Sequence, residues 1–195
     1  TKKYFDKVQD INTELVNDLY MSIGFEFFKS DNYKLAIDSF IKQLAIEKEK
    51  NNKNGIINTL TNIGLSYFYL GAYGDALAYF DKSIAHDGIE NLWAPVETLV
   101  FKHVSQKMLG LPVNDDYLKS LIEGLEKDSS LWFRNEPAYI NWALFEYSGD
   151  KKYIEAAYDK IMKVVSKMNQ EHSNLFLSYS IQQRILDSFN KFNNI

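Results

Sequence analysis

The chain has 195 residues, a net charge of −4 and no cysteine, which excludes disulfides, thiolate nucleophiles and cysteine-ligated metal sites. Its acidic balance, with a sequence pI near 5.4, removes the basic footprint that nucleic-acid binding needs, and no run approaches the roughly 18 apolar residues of a membrane span. Glycine and proline number only 9 and 3 while aromatic residues reach 15%, a composition that disfavours turn-rich β folds and favours long helices.

In chain order, Tyr4-Phe5-Asp6-Lys7 comes first, and it is echoed later by Tyr79-Phe80-Asp81-Lys82. The echo predicts that residues 1–12 are the end of a second helix whose partner precedes it. On that reading the chain is a fragment of a larger protein, with an apolar face near Tyr4, Phe5, Val8 and Ile11 left open. Residues 17–52 then carry Tyr20, Ile23, Gly24 and Phe27, followed by Tyr33, Ala36 and Phe40. Forty residues on, residues 57–90 carry Leu60, Ile63, Gly64 and Tyr67, followed by Tyr73, Ala76 and Phe80. Three- and four-residue spacing makes each set an apolar helical stripe. Glycine inside a helix costs about 1 kcal/mol against alanine. Gly24 and Gly64 therefore mark places where a neighbouring helix comes too close for a side chain, with Ala36 and Ala76 as the matching small surface. Between the two copies, the charged run from Glu47 to Gly55 lengthens the second helix, with Asn54-Gly55 as its stop.

Residues 91–129 read as a degenerate third copy: Val104 holds the glycine slot, and Leu109-Gly110-Leu111-Pro112 forms the turn. Residues 131–168 read as a fourth, with Pro137 at a helix start, Leu144 in the glycine slot and Gly149-Asp150 as the turn. Tyr153 and Ala156 keep their slots there, and Lys160 replaces the final phenylalanine. Residues 172–192, with Leu175, Leu177, Ile181, Ile185 and Phe189, predict a closing helix.

This unit resembles the tetratricopeptide repeat, whose pattern is a bulky residue, Leu-Gly and Tyr, then Ala and Phe across a helix–turn–helix; the variant here has a lengthened period of forty residues. The resemblance covers residues 1–195 as one domain and implies an all-α fold, a right-handed superhelical solenoid of antiparallel helical hairpins with an extended concave surface. Carried onto this sequence, that surface would hold Phe25, Phe28, Asn58, Thr61, Asn62, Leu65, Tyr69, Phe101, Lys102, Asn141, Trp142 and Phe145. Asn58 and Asn62 lie one turn apart, and asparagine offers both donors and an acceptor to an extended peptide backbone. The aromatic members would supply apolar anchors, although the same rings also suit packing against a neighbouring turn or the closing helix. The clamp by which some relatives of this family hold chaperone C-termini is not expected, because Met21 and Phe25 occupy its first positions and Asn62 alone matches.

Catalytic patterns are absent from the sequence. His86, His103 and His172 are widely separated, with no phosphate-binding glycine loop and no nucleophile elbow. Asp115-Asp116 and Glu136 stand where helices should begin, so capping explains them. The expected function is a non-catalytic module that binds a protein or peptide segment, without cofactor or metal and without nucleic acid or membrane as partner. The alternative is a ligand-sensing regulatory domain attached to a DNA-binding, nucleotide-cyclase or ATPase domain. The expected setting is cytoplasmic, and the oligomeric state is open.

Overall fold

The computed structural model describes residues 2–86, 94–113, 116, 119–120, 123 and 138–193, with side chains described from Asn12 onward and, in the fifth helix, from Glu97. Among the described residues the fold is entirely helical. The helices are α1 Lys2–Lys29, α2 Tyr33–Glu49, α3 Lys53–Tyr69, α4 Tyr73–His86, α5 Ala94–Met108, α6 Ala138–Ser148, α7 Lys151–Val165, α8 Gln170–Ser178 and α9 Ser180–Asn193. The chain divides into two compact units, residues 1–98 and 99–195, with the boundary inside α5. In the first unit α1 packs on α2, α2 on α3 and α3 on α4; in the second α6 packs on α7, and α9 on α6, α7 and α8.

Turn chemistry sets where the first helices stop. Asp31, Gly71, Gly110 and Gly149 each take a positive φ, of 61°, 83°, 68° and 73°. At the first three the same pair of hydrogen bonds recurs. Asn32, Ala72 and Leu111 donate back to Phe27, Tyr67 and Gln106 carbonyls at 2.8, 2.9 and 2.9 Å, and Asp31, Gly71 and Gly110 donate to Phe28, Phe68 and Lys107 at 3.2, 3.0 and 3.1 Å. This is the Schellman arrangement, which satisfies carbonyls that the helix end leaves open.

The structure departs from the sequence reading in several places. Residues 1–12 are not a separate helical end: α1 runs unbroken for 28 residues, because neither glycine nor proline interrupts the chain between Lys2 and Ile23. The stop expected at Asn54-Gly55 falls earlier, at Asn51. Asn51 takes φ 51°, and Asn52 caps α3 by accepting from the Gly55 N–H at 3.2 Å, so Gly55 sits in the first turn of the next helix. The closing helix is two, α8 and α9, separated by an extended Tyr179 at φ −67° and ψ 143°. In α7 Tyr153 is buried in its expected slot together with Ile154, but Ala157 and Ile161 are the buried residues further on, one residue beyond the expected Ala156 and Lys160, a shift of about 100° round the helix. Leu144 is fully buried where Gly24 and Gly64 stand in the first unit. The expected caps at Asp115 and Glu136-Pro137, and most of the second helix of the third copy, lie outside the described residues.

The glycines in the first unit serve a different partner from the one expected. A Cβ on Gly24 would lie 2.7 Å from Cδ1 of Phe40, and a Cβ on Gly64 would lie 2.7 Å from Cδ1 of Phe80. The ring at the end of each motif, not its alanine, therefore rests on the glycine. Both rings are fully buried, as are Ala36 and Ala76. Phe40 joins Ala36, Ile37, Leu44, Ile56, Leu60 and Ile63 in one core cluster.

Gly64→Ala should destabilise the first unit by about 1–3 kcal/mol through overpacking, even though alanine is the better helix former by about 1 kcal/mol; denaturant titration with Phe80→Leu added should recover part of the loss. A second expectation concerns the α7 cap. Partial burial pushes the Asp150 carboxyl up, but the Lys152 N–H at 3.0 Å and the Lys152 ammonium at 3.2 Å outweigh it and hold the carboxyl below its ordinary range. A depressed carboxylate stabilises the fold above its unfolded-state value, and that contribution fades as pH falls through the lower folded-state value. Asp150→Asn should therefore flatten the drop in melting temperature on acidification, measured by circular dichroism between about pH 5 and pH 2.

Candidate functional site

The twelve residues expected on one binding face divide sharply by burial. In the first unit Thr61, Leu65 and Tyr69 are buried, while Asn58 is exposed, Asn62 and Phe28 are half-buried and Phe25 is 37% exposed. Thr61 is a seam in the interior: its hydroxyl donates to the Ile57 carbonyl at 3.1 Å and meets the hydroxyls of Ser83 at 3.0 Å and Thr98 at 2.9 Å. Phe28, Tyr33 and Tyr69 form a mutual aromatic contact, with centroids 5.4–5.8 Å apart, that ties α1, α2 and α3 together. The outward residues that remain on this unit are Phe25, whose ring meets Phe40 edge-on at 5.4 Å, and the Asn58–Asn62 pair on α3.

In the second unit Phe101, Asn141 and Trp142 are buried, and Lys102 and Phe145 are half-buried. The rings face the chain itself: Phe101 lies 6.0 Å from Tyr139, and Phe145 meets Phe192 edge-on at 5.8 Å. The Trp142 indole N–H donates to the Ser188 hydroxyl at 3.1 Å, with the Arg184 guanidinium 5.9 Å over its ring. So α9 takes up Trp142 and Phe145, the packing role that the sequence left open for them. Asn141 is 1% exposed and its Nδ2 has no hydrogen-bond acceptor.

No group of three or more histidine, aspartate and glutamate residues among those described could hold a metal ion. His86 and His172 are exposed. His103 is buried on α5, its Nδ1 2.6 Å from the Leu99 carbonyl and its ring 6.0 Å from Tyr147.

Two sets of residues were missed by sequence reasoning. The first surrounds Glu47, which belongs to the charged run read as lengthening the second helix and is 3% exposed. Its Oε1 accepts from Asn17 Nδ2 at 2.8 Å and its Oε2 from Asn52 Nδ2 at 2.7 Å, and a Cβ on Gly55 would collide with the carboxylate. A carboxylate satisfied by two amides thus joins α1, α2 and the cap of α3. Lys50 hydrogen-bonds Glu14, and chiefly through that bond its ammonium is pushed above its usual value, with the charge of Glu47 adding to the effect. The second set is Glu146, Asp187, Ser188, Lys191 and Phe192, which line a cleft with Phe145. Ser188 lies 46 residues from Trp142, so no local spacing announces the contact.

Compared with profiles of known protein families, with curated proteins and with solved structures, the chain matches none.

Replacing Glu47 by alanine strands the buried Asn17 amide and should cost about 1–3 kcal/mol. Combining it with Asn17→Leu should recover part of that loss in urea denaturation.

Proposed function

We propose that the chain is a non-catalytic helical-repeat scaffold of the tetratricopeptide kind, built on a lengthened hairpin, that binds a peptide or protein segment. On this reading the hairpins stack into a right-handed superhelical solenoid, and first-helix side chains line its concave face. The observation that carries the reading is internal recurrence: glycine under a buried phenylalanine ring at Gly24–Phe40 and again at Gly64–Phe80, with the same pair of turn hydrogen bonds at Asp31, Gly71 and Gly110. The ring-on-glycine contact in two successive hairpins supports a repeated unit over chance helical packing; the turn bonds also occur at Asn51 and Asn52, between hairpins. Phe25, Asn58 and Asn62 supply an apolar anchor and amide groups to a bound backbone in the first unit.

The reading is tested by selecting peptides from a random library on the full chain and mapping the best binder by NMR. Shifts should centre on Phe25, Asn58 and Asn62, and Phe25→Ala with Asn62→Ala should weaken binding about tenfold or more at unchanged helicity. Because Phe25 also leans on Phe40, the pair Asn58→Asp and Asn62→Asp serves as a second variant that leaves the core untouched. A peptide that maps elsewhere and binds both variants at full strength overturns the assignment.

A further inference from the structure

In the second unit, α6 and α9 border an open cleft of about 490 Å³ lined by Phe145, Glu146, Asp187, Ser188, Lys191 and Phe192, a volume within the range of small-ligand sites. We infer that this cleft receives a basic side chain, arginine or lysine, of a peptide segment, with an adjacent apolar side chain against the two phenyl rings. This inference rests on the cleft alone and stands whether or not the hairpins act as a repeat scaffold.

The central group is Glu146. The Trp142 indole N–H donates to the Ser188 hydroxyl at 3.1 Å, and that hydroxyl donates to Glu146 Oε1 at 2.9 Å. The carboxylate is therefore oriented by a relay that starts from a buried tryptophan, while its second oxygen retains acceptor capacity. Among the described residues neither Glu146 nor Asp187 forms an ion pair. Lys107 donates to the Glu146 main-chain carbonyl, at 2.7 Å. Lys191 lines the same cleft, so the lining carries two acids against one base.

Beside this acid stand the apolar walls. Phe145 and Phe192 meet at 5.8 Å with their planes 85° apart, and Phe192 is 41% exposed. An exposed ring next to an oriented carboxylate suits a cation that can lie over a π face while donating to the acid. An anionic group would meet two carboxylates there, and a purely apolar group would leave Glu146 desolvated without a partner. The chain's net charge of −4 favours encounter with basic segments in the same sense.

The test is an NMR titration of the full chain with the capped dipeptide Arg-Phe, using capped Ala-Phe and Asp-Phe as controls. Arg-Phe should give saturable shifts at the rings of Phe145 and Phe192, with Ala-Phe weaker by about tenfold and Asp-Phe weaker still. Glu146→Gln keeps an oxygen for the Ser188 hydroxyl. It should lower Arg-Phe affinity by about tenfold without moving the melting temperature, and Asp187→Asn should give a smaller loss. If the three dipeptides bind equally, if Asp-Phe binds best, if Glu146→Gln has no effect, or if Arg-Phe gives no shift at ~10 mM, the inference is overturned.

Discussion

A phenylalanine ring lying on a glycine is the constraint from which the first unit is built. Two helices of a hairpin can bring their axes together only where one of them lacks a side chain, and the space freed at Gly24 and Gly64 is filled by Phe40 and Phe80. The cost of a glycine in mid-helix is offset by a fully buried ring, one of the larger apolar contributions a single side chain makes. Once that contact sets the separation of α1 and α2 and of α3 and α4, the remaining stripe residues have defined neighbours. The α6–α7 hairpin illustrates the rule by inversion. Leu144 fills the glycine position, and the buried residues across the hairpin are Tyr153, Ile154, Ala157 and Ile161, with no phenylalanine at the end of the motif.

Polar groups then fix how successive elements meet. Thr61, Ser83 and Thr98 share a buried hydroxyl cluster, and Glu47 holds amides from α1 and from the cap of α3. Such groups are costly unless all are satisfied, and they penalise any slip of one helix along another. Hydrophobic stripes alone tolerate sliding; an acid that must find two amides does not. In the second unit the Trp142–Ser188–Glu146 relay has the same effect between α6 and α9, with the added result that an acidic group is left oriented at the edge of a cleft.

How much of this was legible before the structure depended on the range of each signal. Helical character and the first two hairpins were readable, because Tyr20 to Phe40 and Leu60 to Phe80 repeat a local pattern of apolar spacing. The partner of Gly24 was not: a glycine announces that something comes close, while which side chain does so depends on helix rotation. The fourth register slipped for the same reason, since a one-residue offset leaves the apolar content of a segment almost unchanged. The binding face was the least legible. An aromatic residue on a helix looks the same in sequence whether it meets a ligand or, like Trp142 and Phe145, the chain's own α9. Glu47 was missed because its amide partners lie on other elements, 30 residues away in the case of Asn17.

The order of packing in the first unit, α1 on α2, α2 on α3, α3 on α4, bears on how the molecule comes apart. Each helix is held by its neighbours in the chain, so damage at one seam need not travel through the rest. Stability in such a series is a sum of nearest-neighbour couplings, and openings spread inward from the weakest one. Amide hydrogen exchange would then resolve a graded set of protections rather than one cooperative value, highest on α2 and α3, which are flanked on both sides. The interior helices act as the anchor, and the outer ones are the elements that can loosen while the anchor holds.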